Sequence, residues 1–489
     1  MKILMLASEA APFAKTGGLA DAVSALARAI RGAGHDVRIL MPYYSSIGRS
    51  GIGLLRPFLP CGYTRSEYFD LHGCTLPGSD VIVYLVGKDE LFGRDGIYGE
   101  DADYPDNPRR FGFLCRAAFS ACRAEKWIPE ILHLHDWQAA PAAVYLSERE
   151  RYREFAFSAC LLTIHNLGYQ GLYPESRFPE LDLPWEAFHG AGFEDFGRLN
   201  ILKAGILRAD MLSTVSPTYA REIQTPAQGF GLDAVLRQRS RRLVGILNGI
   251  DQADWNPARD QRIARRFDLR DMSGKAECKV ALQREFGLPE RPNTPLFAFA
   301  SRLADQKGIR ELFWPGSGCA AQACADMDIQ IVAAGSGERW CEAELSSLAE
   351  RLPSFKSRVG YSEDLARRIM AGADFLLMPC RYEPCGLNQM YAMRYGTLPL
   401  ARRTGGLADT IRNYDQDSGD GTGFLLDDLT PRSLYDTIGW AAWAYYNRRE
   451  HVEAMRLRAM SQDFSWAEPV REYISLYSNA LKAISSLGG

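Results

Sequence analysis

The 489-residue chain has no excess of positive charge, no C-x-x-C pair and no long apolar run. Each absence removes a class of function. With 57 Lys and Arg against 60 Asp and Glu the net charge is −3. The pI near 6.2 argues against a general nucleic-acid binder, which shows a basic stripe and a high pI. A neutral or anionic small molecule suits such a chain better. The 11 cysteines are odd in number and scattered, so neither a zinc knuckle nor a disulfide framework is indicated, and they read as reduced, mostly buried thiols. No stretch of about 18 apolar residues could cross a membrane, and no basic segment with an apolar one behind it precedes the first strand. The expectation is a soluble, cytoplasmic protein that folds from its first residues and has no membrane partner. Also missing is the G-x-G-x-x-G that a dinucleotide dehydrogenase carries after its first strand. Ala10-Ala11-Pro12-Phe13 stands there instead, which excludes that reading.

What is present is an ordinary globular composition, 46% hydrophobic and 24% charged, in a chain too long for one core. Two large domains are expected. Lys2 to Ala7 reads as a buried parallel strand, Ala22 to Ile30 as a helix with one apolar stripe ended by Gly32 and Gly34, and Val37 to Met41 as the next strand. That is a βαβ unit. Val81 to Val86, Ile131 to His135, Leu161 to Ile164 and Met211 to Val215 extend the sheet, with helices at Phe111 to Lys126, Leu199 to Arg208 and Pro217 to Gln224. Asn248-Gly249-Ile250-Asp251 and Trp255-Asn256-Pro257 have the turn chemistry of a linker, after which the alternation restarts. Its strands are Leu296 to Ala300, Ile329 to Ala333, Phe375 to Met378 and Leu398 to Ala401, and two terminal helices are expected at Pro431 to Asn447 and Trp466 to Leu481.

The hexapeptide T-G-G-L-A-D occurs twice, at Thr16 to Asp21 and at Thr404 to Asp409. Two glycines let a ligand approach the backbone, and a following helix offers unpaired N–H groups and a positive dipole end, so each copy reads as half of an anion site. The plainer alternative is that the glycines only shape two helix entrances. Lys15, a cation just before the first copy, favours the anion.

In doubly wound sheets ligands bind beyond the carboxyl ends of strands. Asp136 and His165 stand there, after Ile131 to His135 and after Leu161 to Ile164. His133 and His135 share a face at period two, but no third ligand lies at a recognisable spacing, so no metal site is assigned. Asp89 to Asn107 is polar, glycine-bearing and aromatic, as in a loop over a site, and Tyr98, Tyr104, Asp106 and Asn107 are candidates to bind a sugar. In the second half Arg302 and Lys307 follow a strand and suit two phosphates, or form a solvated surface pair. Gly335 opens another close-approach turn, Gly335-Ser336-Gly337-Glu338. Glu383-Pro384 reads as a carboxylate held at a helix start, either for chemistry or to complement the helix dipole.

Taken together, K-T-G-G-L at 15 to 19, H-D-W at 135 to 137, H-N-L-x-Y-Q-G at 165 to 171, L-N-G-I-D at 247 to 251, S-R-L-x-x-Q-K-G at 301 to 308, E-P-C-G-L at 383 to 387 and R-T-G-G-L-A-D at 403 to 409 resemble the bacterial glycogen and plant starch synthases. The motifs run in order along nearly the whole chain. The resemblance implies an α/β GT-B fold, with two Rossmann-like doubly wound domains facing across a deep cleft. Residues 1–247 would form the domain with the acceptor side and the Lys15 loop, 248–465 the donor-binding domain, and 466–489 a helix packing back on the first. It implies metal-independent, retaining transfer of glucose from ADP-glucose to the non-reducing end of an α-1,4-glucan such as glycogen, with no cofactor and no nucleic acid.

By the same resemblance Lys15, Arg302 and Lys307 would meet the donor diphosphate, and His165 would bond a glucosyl hydroxyl. Glu383 would stabilise the developing oxocarbenium ion. Backbone N–H groups around Cys385, Gly386 and Leu387 and around Thr404, Gly405 and Gly406 would hold glucose and phosphate, and Tyr361 would stack on adenine. Gly18, Asn248 and Gly335 would complete the donor site, with Asp136, Tyr98 and Asn107 on the acceptor side. Two departures stand out. Tyr391 occupies the position eight residues after Glu383 where many retaining GT-B enzymes have a second glutamate, which leaves ribose contacts open. Pro315, Gly316 and Gly318 also interrupt what is usually a smooth helix. Two alternatives stay open: a UDP-glucose-using enzyme of the same fold, and a non-catalytic glucan-binding protein.

Overall fold

A computed structural model describes residues 1–485 other than Asp101 and Tyr361. The chain divides into two compact units, Met1–Gly249 with Trp466–Gly489, and Ile250–Ser465.

The first unit is built on a nine-stranded sheet whose strands, in chain order, are β1 (Lys2–Leu6), β2 (Asp36–Pro42), β3 (Gly53–Cys61), β4 (Glu67–Thr75), β5 (Ile82–Gly87), β6 (Ile131–His135) and β7 (Ala159–Ile164). A small separate sheet of β8 (Leu172–Pro174), β9 (Glu194–Asp195) and β10 (Arg198–Asn200) interrupts the series before β11 (Met211–Thr214) and β12 (Leu243–Gly245) complete it. The large sheet runs β12-β11-β7-β6-β1-β2-β5-β4-β3. Its first seven members are parallel; apart from the edge strand β12, whose Val244 is exposed, they are largely buried, which is why they read as mainly apolar runs. The helix Gly18–Gly32 packs its stripe of Val23, Leu26 and Ile30 into this core. The helix Ala467–Ser485 contributes Val470, Tyr473, Leu476, Tyr477 and Ala480 to the same core.

The antiparallel hairpin β3–β4 has no counterpart in the sequence reading. β3 is the edge strand, almost wholly exposed, and contains Pro57 and Pro60, so it carries neither alternation nor an apolar run. The segment expected to be a loop from Asp89 contains a short helix, Asp89–Phe92, and the following helix starts at Asn107 rather than Phe111.

The second unit holds one parallel sheet of β13 (Leu296–Ala300), β14 (Gln330–Gly335), β15 (Phe355–Val359), β16 (Phe375–Met378), β17 (Leu398–Arg402) and β18 (Phe424–Leu426), in the order β15-β14-β13-β16-β17-β18. Strand order reverses between β13 and β16, and the equivalent reversal in the first unit lies between β1 and β6. Ligand sites in open parallel sheets form at such switch points, beyond the carboxyl ends of the strands. Three helices rather than two close the chain, Pro431–Asn447, Arg449–Ser461 and Ala467–Ser485. The interruption at Pro315 is real: one helix ends at Phe313 and the next begins at Cys319. Among the described residues no helix is long and apolar enough to cross a membrane.

Candidate functional site

At the switch point of the first unit the loop after β1 carries Glu9 and Lys15. Glu9 is only 2% exposed. Its carboxylate accepts the Thr16 N–H at 2.5 Å, the Thr16 hydroxyl at 2.7 Å and the Tyr98 hydroxyl. This carboxylate therefore ties the K-T-G-G turn to the loop after β5. Lys15 itself projects outward, its side chain 42% exposed, with its ammonium 2.8 Å from Asp21. Gly17 precedes the helix, and Gly18 is its exposed first residue.

Beyond β6, Asp136 adopts a left-handed backbone, φ 58°, which Asp tolerates better than most residues. The bend turns its carboxylate onto the next strand end, where Oδ1 accepts the N–H of His165 at 2.6 Å and of Asn166 at 3.4 Å. Burial raises the Asp136 carboxyl to about 7, against the opposing pull of those two amides. His165 is half-buried at the end of β7, and loss of water pushes its imidazole down to about 3. It is thus neutral at ordinary pH. Nδ1 of His135 lies 3.0 Å from Nε2 of His165. Both nitrogens of His133 are engaged, Nδ1 with the Tyr477 hydroxyl at 2.8 Å and Nε2 with the Thr163 hydroxyl at 2.6 Å. Among the described residues no group of three His, Cys, Asp or Glu could hold a metal ion.

The sugar-binding expectation for the loop after β5 needs correction. Asn107 is fully buried; its Nδ2 donates to the Tyr98 carbonyl at 2.9 Å and its Oδ1 accepts from Arg110 at 2.6 Å. It braces the loop from within and has no face for a sugar. Tyr98 is half-buried, with its hydroxyl bonded to Glu9 and, at 2.8 Å, to Ser8. Both residues belong to the scaffold behind the Lys15 turn.

At the switch point of the second unit, the loop after β13 and the loop after β16 are laced together. The Arg381 N–H donates to the Gln306 carbonyl at 2.8 Å, and Gln306 Nε2 donates to the Tyr382 carbonyl at 3.2 Å. This lacing brings Lys307 into a direct ion pair with Glu383. Glu383 is buried and also accepts from the Cys380 thiol at 3.2 Å. Burial works against the Lys307 charge, but the Glu383 carboxylate outweighs it and holds the ammonium above the ordinary lysine value. An ammonium has three donors, so one bond to Glu383 leaves capacity for an oxyanion. Arg302 is exposed, with a long 3.3 Å bond to Gln306.

Glu383-Pro384 does not open a helix, because the helix begins only at Asn388. What fixes this turn is the second T-G-G-L-A-D copy. Gly405, at φ 44°, and Gly406 are buried against it: a Cβ on Gly405 would overlap the Glu383 carbonyl oxygen, and one on Gly406 the Cys385 carbonyl oxygen. The Gly406 N–H donates to the Glu383 and Pro384 carbonyls at 3.1 and 3.2 Å. The expectation of an open anion site at Thr404 to Gly406 is therefore corrected for Gly406, whose amide is already used. Gly335 is likewise explained by backbone, since a Cβ there would overlap the Ser301 carbonyl oxygen. Asn248 is buried at the end of the first unit. Cys385 is buried, while Gly386 and Leu387 are half-buried. Tyr361 lies outside the described residues.

The two identical hexapeptides thus do different work, which a pair of variants separates. Gly406→Ala should lower the melting temperature by several degrees or prevent folding, as overpacking against backbone costs about 1–3 kcal/mol or more. Gly17→Ala should barely change it, since a Cβ there meets nothing within 4 Å and φ is −157°. Equal melting shifts would contradict the assignment.

The starch synthase catalytic domain model matches residues 2–238, and the model for glycosyl transferases group 1 matches residues 294–442. A glycogen synthase of Treponema denticola is 48% identical over 490 residues, covering 100% of both chains. The chain belongs to the glycogen and starch synthase family. A glycogen synthase of Geobacter metallireducens is 42% identical, with 99% of this chain and 96% of that protein covered. Among solved structures, the catalytic domain of starch synthase IV from Arabidopsis thaliana, bound to ADP and acarbose, superposes with a TM-score of 0.89 at 30% identity, covering 98% of this chain and 99% of that one. A sucrose-phosphate synthase from Thermosynechococcus elongatus, at TM-score 0.63 and 16% identity with 99% of each chain covered, shares the fold.

Membership makes the chain a glycosyltransferase of the GT-B fold. Tyr391, which differs from many retaining GT-B enzymes rather than from the similar glycogen synthases, and the break near Pro315 both have structural consequences. Tyr391 stacks on Trp255 with ring centroids 3.7 Å apart, and the Arg367 guanidinium lies over the same Trp255 ring, 4.0 Å from its centre. The position is thus committed to packing. The break after Phe313 sets Trp314 4.7 Å from Trp340, with Arg310 over Trp314 at 4.5 Å. Glu9 escaped the sequence reading because a single acidic residue between a strand and a glycine turn has no diagnostic spacing. The Lys307–Glu383 pairing escaped it because the two residues are joined only by the adjacency of β13 and β16.

Proposed function

We propose that the chain catalyses retaining transfer of glucose from ADP-glucose to the non-reducing end of an α-1,4-glucan, releasing ADP. The observation that carries this reading is the buried Glu383 carboxylate held by Lys307 at the strand-order reversal, with Arg302 exposed beside it. Arg302 and the remaining donors of Lys307 bind the diphosphate and stabilise the negative charge that grows on the leaving ADP. Glu383 opposes the positive charge that develops on the glucosyl carbon. Lys15 supplies a further cation for the diphosphate. Its ion pair with Asp21 is a surface pair of small worth. Neutral His165 contributes a hydrogen bond to a glucosyl hydroxyl rather than a charge. Asp136 lies on the acceptor side.

The solved Arabidopsis relative with ADP and acarbose supports an adenine nucleotide and a glucan-like ligand. The alternative donor, UDP-glucose, is tested by the same assay. With radiolabelled ADP-glucose and UDP-glucose offered separately with glycogen, label should enter the polymer from ADP-glucose and be released by an enzyme that trims non-reducing ends. Faster incorporation from UDP-glucose would overturn the donor assignment, and binding of glycogen without incorporation from either would make the chain a binding protein.

A further inference from the structure

We propose that His135 is a positioning residue that fixes the tautomer of His165, keeping the His165 proton on Nδ1 so that the imidazole presents an N–H donor there. The proposal rests on the glucosyl-transfer reading only for what that donor meets, a sugar or phosphate oxygen.

His135 in β6 sits opposite Thr163 in β7, and two residues further on, just past the end of β7, the chain reaches His165. Nδ1 of His135 and Nε2 of His165 are 3.0 Å apart, so exactly one of these neutral rings places a proton between them. Burial holds both imidazoles in the neutral form. The other nitrogen of His135, Nε2, is buried and has no hydrogen-bond partner among the described residues. Were the shared proton on His165, a neutral His135 would carry its own proton on Nε2 and orphan a buried N–H. With the shared proton on His135 Nδ1, only a lone pair is orphaned, and buried orphan N–H groups are the rarer of the two defects. His135 is therefore the donor, His165 Nε2 the acceptor, and the His165 proton sits on Nδ1.

The ring of His135 is also held in place. His133 packs against it, its ring tilted by 36° with centroids 4.1 Å apart. His133 is pinned in turn by Tyr477 from the last helix and by Thr163, whose hydroxyl lies 2.6 Å from that of Ser213. No polar atom of this column reaches His135 Nε2, so no competing partner draws the proton there. Asp136, the neighbouring acid, is occupied with the backbone N–H groups of His165 and Asn166.

The test is tautomer assignment on the full chain without substrate, using isotope-labelled histidine and long-range nitrogen–proton correlation. The chain has only 7 histidines to distinguish. The expected result is a single His165 tautomer with the proton on Nδ1. His135→Phe keeps a stacking ring but removes the donor, and should give mixed His165 tautomers and a kcat lowered about tenfold with donor KM little changed. His135→Gln, which restores an N–H donor, should recover part of both. A His165 proton on Nε2 in the unaltered chain, or tautomer populations unmoved in His135→Phe, would overturn the proposal. If His135→Phe does not fold, the spectrum of the unaltered chain decides. Absence of glucose transfer would count against the enzymatic reading alone, because the tautomer is read without turnover.

Discussion

Glu383→Ala is expected to lower kcat about a hundredfold or more while changing the KM for donor little, the pattern of a group that acts mainly on the transition state. The carboxylate is buried at a strand-order reversal and is held by Lys307 and the Cys380 thiol, so it is oriented before substrate arrives. The substitution has a second consequence. It leaves Lys307 largely buried without its partner, and breaking such a pair costs about 3–5 kcal/mol of stability. Glu383→Gln, of the same shape, should reproduce the kinetic loss with a smaller melting shift. Rates must be referred to folded protein. A weakened donor affinity with unaltered kcat would reduce Glu383 to a structural residue of its turn.

The second large effect is at Lys15. Removing one charge-assisted hydrogen bond to phosphate is worth about 1.5–3 kcal/mol, so Lys15→Ala should lower kcat/KM for donor roughly ten- to a hundredfold. The fold should be unaffected, because Lys15 is exposed and surface ion pairs such as that with Asp21 contribute little. Lys15→Arg should rescue only in part, since a planar fork does not replace a compact ammonium. Steady-state kinetics with varied donor, alongside a melting curve, checks all three statements. Unchanged efficiency in Lys15→Ala would remove this residue from the site.

The parallel strands were legible in sequence because a strand covered on both faces is an unbroken apolar run, as in Ile3 to Leu6. Asp136 and His165 follow from their place beyond strand ends, whereas Arg302, Lys307 and Glu383 follow from local charge patterns and from the motifs shared with the family. What occupies the space around a residue is a tertiary fact and was not legible. The second T-G-G-L-A-D copy announces a close approach, yet nothing in its letters says that the approaching group is the Glu383-Pro384-Cys385 turn of the same unit. Asn107 and Tyr98 have the composition of a sugar site but are consumed by Arg110, Ser8 and Glu9. β3 was invisible because an exposed edge strand has no hydrophobic pattern to read.

Under the proposed function Lys15, Arg302 and Lys307 supply the positive charge that a divalent ion gives to many nucleotide-sugar enzymes. The most direct measurement is the initial rate of glucose incorporation from ADP-glucose into glycogen, with and without EDTA, after exhaustive removal of divalent ions. The account predicts nearly the same rate in both. Abolition by EDTA with recovery on adding magnesium would contradict it.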